Sequence, residues 1–377
     1  MYKNKLSKRK RIFIIICIIM NCFIMSSCFS YTDIDRVLFV TALMIDVDDD
    51  GNPIVYTECF RGMRDANEGM EKRVIFKGNG KTVFEAIRDM NSLATFKINY
   101  TQNKVIIFTE KAAESGIADF IDFLDRDQEL LVRPYIAVFR GDADKFFTLE
   151  FGQEKYIGFL VLRIIENIGA SSRAVTKTFN DFYNQRTMGN GVNVVTIIQL
   201  KKETLEPPKL QINGGAVILD DKMVSILTTD EGQGYNFLMN RVSSGTLEIT
   251  NPCDINKFVT LEILSSKTKT EINYKDNVIN LKKKIKVRVN FGEAQKKIIL
   301  TKDNIKNIQE NSELNIVKAT QKIFKVYQGM GIDIFDIEDE LYIKYPKIKV
   351  ENYIDITKLE VEVETEIMNT GDVKNFE

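Results

Sequence analysis

Apolar positions along the chain change period several times, and each change predicts an element. Residues 37–47 are an almost unbroken apolar run bounded by acids, the pattern of a strand covered on both faces. Asp50-Gly51 signals a tight hairpin into a second strand over 54–60. A short strand over 74–77 and a turn at Gly78-Asn79-Gly80 precede a helix with Val83, Ile87, Met90 and Ala94 on one face. A compact strand over 105–108 leads to a helix marked by Ile117, Phe120, Ile121 and Leu124. Residues 132–139 again read as strand, with Pro134 predicting a bulge or edge position. The β-α-β-α-β order predicts a mixed α/β layer.

Ile157, Leu160, Val161, Ile164, Ile165 and Ile168 form a wide helical stripe, and Val175, Phe179 and Phe182 a second one after a break at 169–172; both predict core helices, with a partner groove as the alternative reading. The charged segment 201–209, with Pro207-Pro208, predicts a domain boundary. Beyond it, two apolar runs around Asp220-Asp221-Lys222 predict a hairpin, followed by a helix over 230–241. The last third opens with strands near 259–274 and 285–291. Ile285, Val287, Val289 and Phe291 alternate with Lys284, Lys286, Arg288 and Asn290, while Leu359, Val361 and Val363 alternate with Glu360, Glu362 and Glu364. Each of these strands has one dry and one wet face, and their opposite charges predict close neighbours in one sheet. Between them a helix starts near Thr301, carries Ile316, Thr320, Ile323 and Tyr327 on one stripe, and stops at Gly329-Met330-Gly331.

The pattern as a whole predicts an α+β protein, multi-domain, with largely antiparallel and mixed sheets flanked by helices. The expected units are a leader over 1–27, an N-terminal α/β domain over 28–200, a middle hairpin-helix unit over 210–257 and a C-terminal α+β domain over 258–377.

The leader rests on residues 12–25, IFIIICIIMNCFIM, in which only Asn21 is polar, directly behind Lys3, Lys5, Lys8, Arg9, Lys10 and Arg11. A basic stretch before a short apolar run is the plan of a signal peptide, and the run falls short of the roughly 20 residues a spanning helix needs. Met25-Ser26-Ser27-Cys28 follows, an apolar residue, two small ones and a cysteine, which resembles a bacterial lipobox. Cys28 is therefore the candidate lipidation site, its thiol accepting a diacylglycerol. Two acyl chains, at about 0.8 kcal/mol per buried CH₂, would hold the body beside a membrane. Cys17 and Cys22 leave with the leader, so only Cys59 and Cys253 remain to pair and no disulfide framework is expected.

Charge and composition then narrow the chemistry. The formal net charge of −1 is divided, because removing the six leader bases leaves 46 Lys+Arg against 53 Asp+Glu. A body at −7 is a poor nucleic-acid binder. With no histidine among 377 residues, Ser-His-Asp and Cys-His systems and the common zinc sites are excluded. Two motifs imitate ligand sites. Asp46-x-Asp48-x-Asp50-Gly51 begins like a calcium loop, but the closing position is Thr57 and the flanks read as strands, so a solvated turn is expected and no metal. Gly80-Lys81-Thr82 imitates the end of a phosphate loop, but the position of its first glycine holds Ile75, so a helix start is expected and no cofactor. No catalytic constellation emerges, and the chain is expected not to be an enzyme.

Collinear segments resemble one family, the GerC-type lipoproteins that form the C subunits of spore germinant receptors. They are Cys28 with Tyr31-Thr32-Asp33-Ile34-Asp35, where Phe29 stands in the place of the family's usual Trp; Val40 to Asp46; Gly80-Lys81-Thr82-Val83-Phe84-Glu85-Ala86; and Asn103 to Thr109. Phe120 to Asp127, Gly214-Gly215-Ala216-Val217 with Asp221 to Val224, Thr228 to Glu231, and Gly331 to Phe335 with Tyr345-Pro346 continue the series. The resemblance implies a three-domain α+β lipoprotein on the outer face of the spore inner membrane. It also implies assembly with an A subunit and a membrane-embedded B subunit into a nutrient receptor, and brings no catalytic residues. The alternative reading is a lipid-anchored solute-binding protein that captures a small nutrient in a cleft between two similar lobes.

Overall fold

The computed structural model describes residues 36–61, 73–126, 133–152, 154–168, 171–201, 207–369 and 375–376, with 9–10 and 12–13. A ten-stranded sheet is built from β1 (Val37–Val47), β2 (Pro53–Arg61), β3 (Val74–Asn79), β4 (Lys97–Asn99), β5 (Val105–Thr109), β6 (Tyr135–Arg140), β7 (Val192–Leu200), β8 (Leu210–Ile212), β9 (Gly215–Leu219) and β10 (Lys222–Leu227). Its order is β10-β9-β7-β6-β5-β1-β2-β3, with β4 beside β1 and β8 beside β7. β1, β5, β6 and β7 run parallel, and the pairs toward both edges are antiparallel.

Alternation along the central strands divides the core in two. Leu43 and Ile45, Ile106 and Phe108, Ile136 and Val138 point to one face, where helices α1 (Val83–Leu93), α2 (Glu110–Ser115), α3 (Ala118–Arg126) and α6 (Phe179–Met188) cover them. Ala42 and Met44, Ile107 and Phe139 point to the other, under α4 (Ala143–Thr148) and α5 (Ile157–Asn167). Burial on both faces is why β1 reads as a continuous apolar run.

The Pro134 expectation is corrected: β6 lies in the middle of the sheet, and Pro134 precedes its first residue, so the missing N–H costs no ladder bond. Gly78-Asn79, expected as a turn, ends β3 instead, and α2 is an extra short helix closed by Gly116 at φ 118°. Residues 210–257, expected as a middle unit, are shared out: the β9–β10 hairpin bonds to β7, helix α7 (Thr229–Leu238) follows, and β11 (Gly245–Asn251) joins a second sheet.

That second sheet has the order β11-β12-β13-β15, with β12 (Asp254–Lys275), β13 (Val278–Ala294) and β15 (Thr357–Asn369); β14 (Ile298–Ile299) and β16 (Asn375–Phe376) pair separately. Its dry face packs on α8 (Lys302–Met330) through Ile285, Val287, Ile308 and Ile316. The long helix has local start and stop signals: Thr301 accepts the N–H of Asn304 at 3.2 Å, and Gly331 adopts φ 69° as its left-handed end. One further core joins the sheets, with Val192, Val194 and Val217 of the first packed against Ile323, Phe324 and Tyr327 of α8 and Ile279 of β13. Helix α9 (Ile337–Lys344) lies beside this junction.

Candidate functional site

The residues singled out by sequence do not converge. Cys28 and the 14–35 stretch of the leader and its flank lie outside the described residues. Asp48 takes the N–H of Asp50 at 2.9 Å and of Asn52 at 2.8 Å, folding back on its own hairpin; Asn52's hydrogen bonds hold its carboxyl below the usual range. Asp46 instead accepts the Thr109 hydroxyl and Asp49 pairs with Lys111 at 2.8 Å, so the carboxylates diverge. Thr82 caps α1, accepting from Glu85 N at 3.2 Å, while Glu85 takes the N–H of Lys81 at 2.7 Å. Cys59 is buried and Cys253 exposed, and both are free thiols; burial pushes the Cys59 thiol up to about 12.

A buried acid in the first sheet is held by several donors at once. Glu58 of β2 is fully enclosed, and its carboxylate accepts the N–H groups of Ile157 at 2.9 Å and Gly158 at 3.0 Å, the opening of α5. Thr41, at a bulge in β1, donates its hydroxyl at 2.5 Å. Arg73 Nε lies 2.6 Å from Glu58 Oε1 with its N–H off that line, a Coulombic contact, while the guanidinium donates to Leu149 O and Phe147 O at 2.9 Å each. Gly158 is required here, because a Cβ on it would stand 2.0 Å from Thr41 O. Helix dipole, hydroxyl and guanidinium together offset the cost of enclosing a carboxylate, which makes this a structural clamp between α5 and the β1–β2 hairpin.

The wet face of the second sheet carries the opposite arrangement. β13 and β15 pair in parallel with Lys282 opposite Glu360, Lys286 opposite Glu364 and Arg288 opposite Glu366. Ion pairs form at 2.8, 2.5 and 3.1 Å respectively, Lys282 also reaches Glu362, and Lys284 turns to Glu271 of β12 at 2.7 Å. The expected neighbouring of these strands is a direct pairing.

A cleft of about 480 Å³ lies where α6, β7, α7 and α9 meet. Lys177, 8% exposed, enters it from the segment before α6; its ammonium donates to Asn193 Oδ1 at 2.5 Å, and burial pushes it down to about 8. Arg241 follows α7 and lies 5.6 Å over the ring of buried Tyr235. Asp336 precedes α9 at φ 57°, and burial pushes its carboxyl up to about 6. Gln185 Nε2 of α6 is shared among Asn190 Oδ1 at 3.1 Å, Asp336 Oδ1 at 3.1 Å and Asp339 Oδ2 at 3.3 Å. Asp333 accepts from the N–H groups of Phe335, Ile337 and Glu338 at 2.9, 2.8 and 3.1 Å, ordering the start of α9. The cleft thus gathers Lys177 and Arg241 with Asp181, Asp336 and Asp339.

Sequence reading missed these residues, since Lys177, Arg241 and Asp336 come from three separate stretches. The one available signal was Asp333-x-x-Asp336-x-x-Asp339 around a helix start. Among the described residues no group of three or more Cys, Asp or Glu is placed to hold a metal ion.

Comparison with known proteins agrees with this architecture. Residues 30–200 match the family model for the spore germination protein N-terminal domain, and residues 213–371 match the spore germination B3/GerAC-like C-terminal model. The chain is 22% identical over 280 residues to the spore germination protein GerQC of Bacillus cereus, covering 74% of each chain. It is 19% identical over 320 residues to the putative spore germination protein YfkR of Bacillus subtilis strain 168, covering 81% of this chain and 79% of that one. The fold is similar to the crystal structure of the GerBC protein, with a TM-score of 0.56 and 16% identity over 87% of this chain and 97% of the other. With both family domains matched in order and an α+β fold shared along the chain, the protein belongs to the GerC-type spore germination family.

Proposed function

We propose that this protein is the lipid-anchored C subunit of a spore nutrient germinant receptor, assembling with the A and B subunits on the outer face of the spore inner membrane. The observation that carries the reading is the position of Cys28 behind an apolar run and two residues before the start of the matched N-terminal domain. Two acyl chains on Cys28 would suffice to hold the body stably beside a bilayer. Tethering raises the effective concentration of the body near its partners, so modest contacts suffice for assembly. The alternative of a solute-binding protein with two similar lobes finds less support, since one sheet is ten-stranded and mixed and the other four-stranded. Cys28→Ala is expected to leave the fold intact, move the protein out of the membrane fraction and abolish co-purification with the A and B subunits. Unchanged fractionation, or mass spectrometry finding the mature thiol unmodified, would overturn the anchor.

A further inference from the structure

The cleft between α6, α7 and α9 brings opposite charges together without closing them. Lys177 and Arg241 stand against Asp181, Asp336 and Asp339, and among the described residues no ion pair joins the two groups. Charges elsewhere in the protein pair directly: Arg186, on the same α6, grips Asp221 through two bonds of 2.6 and 2.7 Å.

The acidic side is short of donors. Gln185 Nε2 has two hydrogens for three oxygens, those of Asn190, Asp336 and Asp339. An ammonium would bring three hydrogens and the missing charge. Asp336 is also held in the left-handed region at φ 57°, at the position from which a side chain ordinarily caps a helix, yet it caps nothing. Asp333 already takes the N–H groups of Ile337 and Glu338, so the Asp336 carboxylate is left to line the cleft. Strained backbone of this kind concentrates at ligand sites.

The basic side has donors to spare. The Lys177 ammonium makes its one side-chain bond to Asn193, and the Arg241 guanidinium rests on Tyr235 with no carboxylate partner among the described residues. The volume of about 480 Å³ falls within the range of small-molecule sites, which favour junctions between domains. Here the junction lies between the two matched family domains.

We propose that this cleft binds a small zwitterion, its ammonium held by Asp336 and Asp339 and its carboxylate or phosphate by Lys177 and Arg241. A ligand with both charges closes two pairs at once, whereas a single charge leaves the other group open. The inference goes beyond assembly and uses neither Cys28 nor the other subunits, so loss of ligand response and loss of assembly are separate results. A free solute and a lipid headgroup share this chemistry, and the probes must separate them.

The test is thermal unfolding of the full chain with γ-aminobutyrate, ε-aminocaproate, the single-charge controls butyrate and butylamine at matched ionic strength, and phosphatidylethanolamine vesicles against phosphatidylglycerol vesicles. At least one zwitterion is expected to give a saturable rise in Tm that neither control reproduces. Arg241→Ala, at the exposed rim, should weaken half-saturation about tenfold, and Asp336→Asn should abolish the response. A response to phosphatidylethanolamine alone, lost in the same variants, would support the cleft and identify the source as a headgroup. Equal shifts by controls and zwitterions, no saturable shift by any probe, or a response that persists in both variants would overturn the proposal. Should Asp336→Asn fail to fold, Arg241→Ala and Asp339→Asn carry the same test.

Discussion

Two charged regions of this molecule use similar residues to opposite ends. Glu58 and Arg73 lie inside the first sheet, with the carboxylate also receiving two backbone N–H groups and a hydroxyl. The β13–β15 ladder lies in solvent, with Lys286 and Glu364 about two-thirds exposed. Coulomb attraction is screened on the ladder and not in the clamp, so the number of ion pairs says little about where stability resides. An enclosed carboxylate that loses its partners keeps its desolvation cost, whereas a surface lysine that loses its glutamate is rehydrated. The cleft is intermediate: its charges are partly enclosed and unpaired, which suits recognition better than stability.

Three predictions sharpen that contrast, beginning with the clamp. Glu58→Ala leaves Arg73 without its counter-charge and the opening of α5 without acceptors, and should destabilise the fold by about 3–5 kcal/mol. The measurement is the denaturant midpoint of the variant against the parent. An unchanged midpoint would mean that the clamp is incidental.

The cleft comes next, through its pH dependence. Asp336 is raised from an ordinary 3.8 to about 6, first by burial, with Lys177 and Arg241 opposing and Asp333 and Asp339 adding to the shift. The folded protein therefore holds this proton more tightly than the unfolded chain. The stability it contributes is complete below about pH 4 and is lost as pH rises through about 6. Asp336→Asn lacks this dependence, so the variant should gain on the parent by roughly 2 kcal/mol between about pH 4 and 7 in paired unfolding curves. A constant difference across that window would remove Asp336 as the titrating group.

The smallest effect belongs to the ladder. Lys286→Ala or Arg288→Ala should each cost less than about 1 kcal/mol, and the cost should vanish in molar salt. A larger, salt-resistant loss would show that the ladder acts as a coupled network.

Much of the local structure was legible because its causes are local. Thr82, Thr228 and Thr301 each accept an N–H three residues on, and Gly331 supplies the left-handed stop, so helix ends could be read directly from sequence. The period-two charges of β13 and β15 predicted their neighbouring because a strand has no other way to place charge on one face. Glu58 was overlooked because a single acid within an apolar strand looks the same whether it faces water or a helix terminus. Pro134 misled because its effect depends on whether it falls inside the ladder or one residue before it.

By itself, the sequence determined the element types, the α+β class, the unlike faces of the second sheet, the absence of imidazole chemistry and the resemblance to GerC-type proteins. These follow from periodicity, caps and composition, which need only near neighbours along the chain. Tertiary structure alone decided that the β9–β10 hairpin extends the first sheet, that Glu58 is enclosed, and that Lys177, Arg241 and Asp336 share one cleft. Lys177 and Asp336 are 159 positions apart, and nothing in their surroundings along the chain encodes that meeting. It arises because burying Val192, Val194 and Val217 against α8 closes the two sheets on one another and carries the polar groups at the seam with them.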